Sequence, residues 1–149
     1  MRPGLLVLAL VALAPIGLNG QVTVAAERDL DFGVVFRGVP STVDPTDAVK
    51  SGRIRVSAPR SVQFRVSFSV PNTLQRAGGA TMPISIGNGD ITARFNTDSY
   101  RYSLNPSSMY IVTMGRGYIT FEYGGTVSPS PSQAPGDYER PIIMTVSVL

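Results

Sequence analysis

From Ser61 to Val70 the chain alternates without a break. Val62, Phe64, Val66, Phe68 and Val70 are apolar, and Ser61, Gln63, Arg65, Ser67 and Ser69 are polar. Successive strand side chains point to opposite faces, so this stretch predicts a strand with one buried face and one wet face. Shorter segments repeat the pattern at Leu30-Asp31-Phe32-Gly33-Val34, Arg53-Ile54-Arg55-Val56, Met82-Pro83-Ile84-Ser85-Ile86 and Tyr100-Arg101-Tyr102-Ser103-Leu104. Between them stand turn formers: Asp44-Pro45, Pro71-Asn72, Gly78-Gly79, Gly87-Asn88-Gly89-Asp90, Asn105-Pro106 and Gly115-Arg116-Gly117. Asn88-Gly89 predicts a tight hairpin.

No useful length of chain carries apolar residues at helical spacing, and 15 Gly and 12 Pro break it too often for helices. Many short strands separated by turns predict an all-β protein, an antiparallel sandwich of immunoglobulin-like layout rather than a closed barrel. The last quarter reads as strand, turn and strand, ending in Pro141-Ile142-Ile143-Met144-Thr145-Val146-Ser147-Val148-Leu149. Pro129 and Pro131 cannot donate ladder hydrogen bonds, so Thr126 to Pro135 suits an edge or a long loop before that final strand.

The first 20 residues differ from the rest. Arg2 precedes a run from Leu5 to Leu18 that is almost wholly apolar. A bilayer span needs about 20 such residues, so this shorter run predicts a cleaved export signal and leaves no transmembrane anchor afterwards. Gly20/Gln21 is the preferred cut, and Val24-Ala25-Ala26 is the competing one. Residues 21–149 then form a single sandwich domain, large enough for a two-layer core. With no Cys, that core forms without disulfides, and thiolate metal sites and thiol catalysis are excluded.

The sequence pI of 9.6 suggests a basic protein. Yet loss of residues 1–20 removes only Arg2 from 13 basic and 10 acidic residues, so the remaining balance is nearly even. With no His or Cys, few groups titrate between about pH 5 and 10, and a small Arg excess pushes the pI high. No dense Lys/Arg block marks a nucleic-acid or membrane partner.

Three pieces of the chain form a family-like pattern. They are Leu30-Asp31-Phe32-Gly33, the alternating Phe-containing strand, and Gly124-Gly125-Thr126-Val127 followed by Gln133-Ala134-Pro135-Gly136-Asp137-Tyr138. Together they resemble the bacterial secreted family known as domain of unknown function 4402, which is similar to spore coat protein U and secreted pilus subunits. The resemblance covers most of residues 21–149 and is specific mainly at the two ends. It implies a pilin-like sandwich whose motif residues Leu30, Asp31, Phe32, Gly33, Gly124, Gly125, Thr126, Gln133, Pro135, Gly136 and Tyr138 serve the fold. Phe32 would bury its ring, Gly33 would permit a bulge or close strand approach, and Gly136 would open the turn before Tyr138. The missing Cys separates the chain from disulfide-bearing pilus subunits.

The chemistry open to such a chain is narrow. Without His or Cys, a Ser-His-Asp triad, Cys-His catalysis and ordinary zinc sites are excluded. The carboxylate pairs to consider are Asp29 with Asp31, Asp44 with Asp47, and Glu122 with Asp137. Solvated strand carboxylates and Asx-turns explain them more simply than glycosidase chemistry. The same holds for calcium at Asp44-Pro45-Thr46-Asp47 or Asn88-Gly89-Asp90, which lack the ligand density of an EF-hand. Tyr100, Tyr102, Tyr110, Tyr118, Tyr123 and Tyr138, with Arg residues nearby, suit a core before a sugar-binding or nucleic-acid face.

The expectation is therefore an exported, non-enzymatic structural or adhesive protein of the cell surface or an appendage, with no cofactor, metal or catalytic residue. Copies of itself or other surface subunits would be its partners through β-strand addition. The donor candidate is Gln21, Val22, Thr23, Val24, Ala25 and Ala26, whose alternate residues Val22, Val24 and Ala26 share one face; an ordinary first strand is the competing reading. The alternative function is a monomeric secreted or periplasmic module that binds a glycan or envelope component.

Overall fold

The computed structural model describes residues 6–7, 9–13, 21–96, 98–115 and 117–149, with the backbone alone described before residue 21. The described residues hold strands and no helix. In chain order the strands are β1 (Leu6–Val7), β2 (Ala9–Leu13), β3 (Thr23–Arg28), β4 (Leu30–Asp31) and β5 (Ser41–Val43). Next come β6 (Gly52–Ser57), β7 (Gln63–Ser69), β8 (Thr73–Gln75), β9 (Thr81–Ser85) and β10 (Ile91–Phe95). The last five are β11 (Tyr102–Leu104), β12 (Tyr110–Thr113), β13 (Tyr118–Tyr123), β14 (Gly125–Val127) and β15 (Ile142–Val148).

Two sheets make the sandwich. One runs β11-β10-β13-β6-β3 and is antiparallel throughout; the other runs β12-β7-β15-β2. Phe68 of β7 meets Phe121 of β13 edge-on across the core, with ring centroids 5.7 Å apart. Phe64, Val66, Ile142, Met144 and Val146 face Ile54, Val56, Ile91, Ile119 and Tyr123, all buried. The alternation in Ser61 to Val70 thus predicts β7 correctly: Phe64 and Val66 are inaccessible, and Gln63 and Arg65 are exposed.

A third sheet, β5-β14-β9-β8, continues from the first through a single residue. β13 ends at Tyr123 and β14 begins at Gly125, with Gly124 between them. A Cβ on Gly124 would lie 2.0 Å from the Val43 carbonyl oxygen, so only glycine lets the strand change sheets there.

Two local expectations change. Asn88-Gly89 is a turn but not a hairpin, because β9 pairs with β14 and β8 while β10 pairs with β11 and β13. Asp90 closes this turn by accepting from the Gly87 N–H at 2.7 Å, and Gly89 has φ 91°. Burial decides the outcome: Met82 and Ile84 are committed to the third sheet and Ile91 to the sandwich core. At the other end, the strand predicted at Leu30 stops at Asp31, whose Oδ1 accepts from the Gly33 N–H at 2.7 Å. Gly33 has φ 65°, and a Cβ there would meet nothing within 4 Å. Glycine supplies a left-handed turn at this position rather than a close strand approach.

Candidate functional site

The outer edge of β15 is the most consequential surface of the fold. On one side β15 pairs antiparallel with β7, from Ile143↔Ser69 to Val148↔Phe64. On the other it pairs parallel with β2, from Ile142↔Ala9 to Val146↔Leu13. Among the described residues β2 is the only strand on that side. β2 lies inside the segment predicted to be an export signal, and residues 14–20, with the preferred cleavage point, lie outside the described residues. A strand flanked on one side only carries a row of unpaired N–H and C=O groups, a template for another strand. Ile142, Met144 and Val146 give this edge a buried apolar face, while Thr145 faces solvent.

The predicted donor segment occupies a different place. Thr23 to Ala26 pairs with Ser57 to Ile54 of β6, and β3 forms the edge of the five-stranded sheet. Val22 is buried and Val24 half-buried, whereas Gln21, Thr23, Ala25 and Ala26 are exposed. Gln21 to Ala26 therefore supplies an edge strand of its own sheet.

Five of the family-like motif residues come together. Gly33, Gln133, Pro135, Gly136 and Tyr138 line one cavity of about 90 Å³. Tyr138 is buried; its hydroxyl donates to the Ala134 carbonyl at 2.7 Å and accepts from Gln133 Nε2 at 2.7 Å. The same Nε2 donates to the Thr81 carbonyl at 2.9 Å, tying the loop to β9. Arg76 donates to the Pro135 carbonyl, and its Cδ would lie 3.0 Å from a Cβ on Gly136, which has φ 141°. Leu30 and Phe32 are fully buried nearby in sequence. On β14, Thr126 meets Thr42 hydroxyl to hydroxyl at 2.8 Å, and a Cβ on Gly125 would lie 2.8 Å from the Ser85 carbonyl oxygen. These contacts fasten a loop; none aims a reactive group outward.

The carboxylates are held as acceptors. Asp44 Oδ1 accepts from the Thr46 hydroxyl at 2.6 Å and its N–H at 2.8 Å, which lowers the Asp44 pKa. Asp47 Oδ1 accepts from the Lys50 and Val49 N–H groups, each at 2.8 Å, and its pKa is lowered by those bonds. Both are Asx-type turn closures. Glu122, only 2% exposed, is clamped between Arg53 at 2.7 Å and Arg101. Among the described residues no group of three or more His, Cys, Asp or Glu side chains could hold a metal ion.

The tyrosines divide. Tyr123 and Tyr138 are buried, Tyr110 and Tyr118 half-buried, and Tyr100 and Tyr102 exposed. Burial raises the Tyr123 pKa. On the open flank between β11 and β12, Phe95, Tyr102, Leu104, Tyr110, Val112 and Phe121 line a cleft of about 220 Å³. The sequence reading missed this cleft, because it arises where two sheet edges diverge and no local pattern encodes that separation.

No protein-family model matches the chain, and a search of curated proteins returns no match.

Proposed function

We propose that the chain is an exported, non-enzymatic structural subunit of the cell surface or an appendage, assembled by β-strand addition at the outer edge of β15. One observation carries this reading. Among the described residues, the one strand covering that edge, β2, belongs to the segment read as the export signal. Removal of residues 1–20 leaves the final strand of an immunoglobulin-like, pilin-like sandwich with one open side, and a strand from a neighbouring copy completes it. Backbone hydrogen bonds then supply affinity, and pockets between the sheets select alternate apolar side chains. Gln21 to Ala26 of the neighbour can take this role only by leaving β6, where it forms an edge strand.

The test is light scattering and electron microscopy on protein beginning at Gln21, compared with the uncleaved chain. Assembly of the shorter protein alone supports the proposal. A shorter protein that stays monomeric at every concentration overturns it. A second reading, a monomeric module for a glycan or envelope component, draws on the cleft between β11 and β12, where Phe95 and Tyr102 pack edge-on at 6.0 Å.

A further inference from the structure

The outer face of the five-stranded sheet is unusually rich in guanidinium groups for a chain of nearly balanced charge. Cross-strand register sets the residues in rows: Thr92, Glu122 and Arg53 lie side by side on β10, β13 and β6, and Arg94, Thr120 and Arg55 form the next row. Arg101 reaches the first row from the segment before β11 and pairs with Glu122. The four arginines 53, 55, 94 and 101 have two carboxylate partners here, Glu122 and Glu27.

Arg94 is left over. It has no ion-pair partner among the described residues, and its Nε has no hydrogen-bond partner. Thr92 is only 8% exposed, and its Oγ1 also lacks a partner. Arg101 has its pKa lowered by burial and then by the charges of Arg94 and Arg53, with Asp44 opposing them, so these cations lie close enough to repel one another. One unpaired cation, Arg94, beside the unsatisfied buried hydroxyl of Thr92 favours an anion that accepts hydrogen bonds.

We propose that this face binds an anionic polysaccharide whose carboxylate groups are held by Arg94 and Arg55, with Arg53 and Arg101 beside them. Strands lie about 4.8 Å apart, so Arg94 and Arg55, two strands apart across Thr120, present positive charge at about twice that pitch. A polymer charged at each or every second sugar offers anions at a comparable repeat. Nucleic acid fits less well. Tyr118, one row further along β13 opposite Ser57, is covered by the Arg55 guanidinium 4.1 Å from its ring centroid, and gives no bare platform for base stacking. This surface is separate from the β15 edge, so binding and assembly can fail independently.

The experiment measures binding of the full chain to polygalacturonate, with neutral dextran and a single-stranded oligonucleotide as competing probes. The expected result is polygalacturonate binding that weakens with salt and exceeds binding to either competitor. Arg94→Gln with Arg55→Gln should lower that affinity roughly tenfold, whereas Arg140→Gln, in the loop before β15, should leave it unchanged. Arg94→Gln alone removes no ion pair among the described residues and should weaken binding without moving the unfolding temperature. Equal binding by the double variant and the parent, preference for the oligonucleotide, or no binding to polygalacturonate would each overturn the proposal.

Discussion

Replacing Tyr138 with Phe removes one oxygen from a buried clasp and tests whether the Gln-Ala-Pro-Gly-Asp-Tyr segment is structural. The Tyr138 hydroxyl both donates to Ala134 and accepts from Gln133, each at 2.7 Å. Without it, the second N–H of Gln133 Nε2 is stranded, since the first is committed to Thr81 and the residue is only 8% exposed. The lost hydrogen bond costs about 1 kcal/mol and the unsatisfied buried donor about 1–3 kcal/mol more. Tyr138→Phe should therefore destabilise the fold by about 2–4 kcal/mol, read as a lower urea midpoint at unchanged m. Gln133→Leu combined with Tyr138→Phe should cost less than the sum of the single changes, because both polar partners then leave together. A Tyr138→Phe variant within about 0.5 kcal/mol of the parent would refute the clasp.

Gly124→Ala should cost about 3 kcal/mol or more, because its Cβ would press on the Val43 carbonyl oxygen and on the backbone of Asp44 and Pro45; chemical denaturation measures it, and an unchanged midpoint would contradict the sheet-switch account. Tyr123 should make folding sensitive to alkali. In the unfolded chain a phenol ionises near pH 10, whereas burial holds the proton on folded Tyr123. Its contribution is thus fully present below about pH 10 and falls as pH rises beyond it. Tyr123→Phe should flatten that loss in unfolding curves taken from pH 8 to 11, with little cost at neutral pH because the hydroxyl has no hydrogen-bond partner among the described residues.

The parts of this fold legible in the sequence are those set by local alternation. β7 could be read from Ser61 to Val70, and β6 and β9 from shorter runs, because burial of alternate side chains imposes a period of two wherever one face is wet; the run at Tyr100 to Leu104 marked β11, yet only Leu104 of its apolar residues is buried. Partner choice was not legible. Asn88-Gly89 has the composition of a hairpin turn, yet the strands on either side bury their apolar faces in different sheets. The Glu122 clamp was equally hidden, since Arg53 and Arg101 reach it from distant positions in the chain. The motif glycines could be recognised, but their separate tasks required geometry: Gly33 supplies a left-handed turn, and Gly124 a close backbone approach. Nothing in the alternation of Ile142 to Leu149 indicated that the strand beside it would come from residues 9–13.

Strand addition requires that β15 have an open side in protein lacking residues 1–20. Alternate amides of a strand point to opposite neighbours, so hydrogen exchange across Ile142 to Val146 reports on each side separately. In monomeric protein beginning at Gln21, amides directed at β7 should be protected and those between them should exchange rapidly, and assembly should slow the second set. Uniform protection of Ile142 to Val146 in the monomer, or rapid exchange that persists in the assembled protein, would contradict strand addition at this edge.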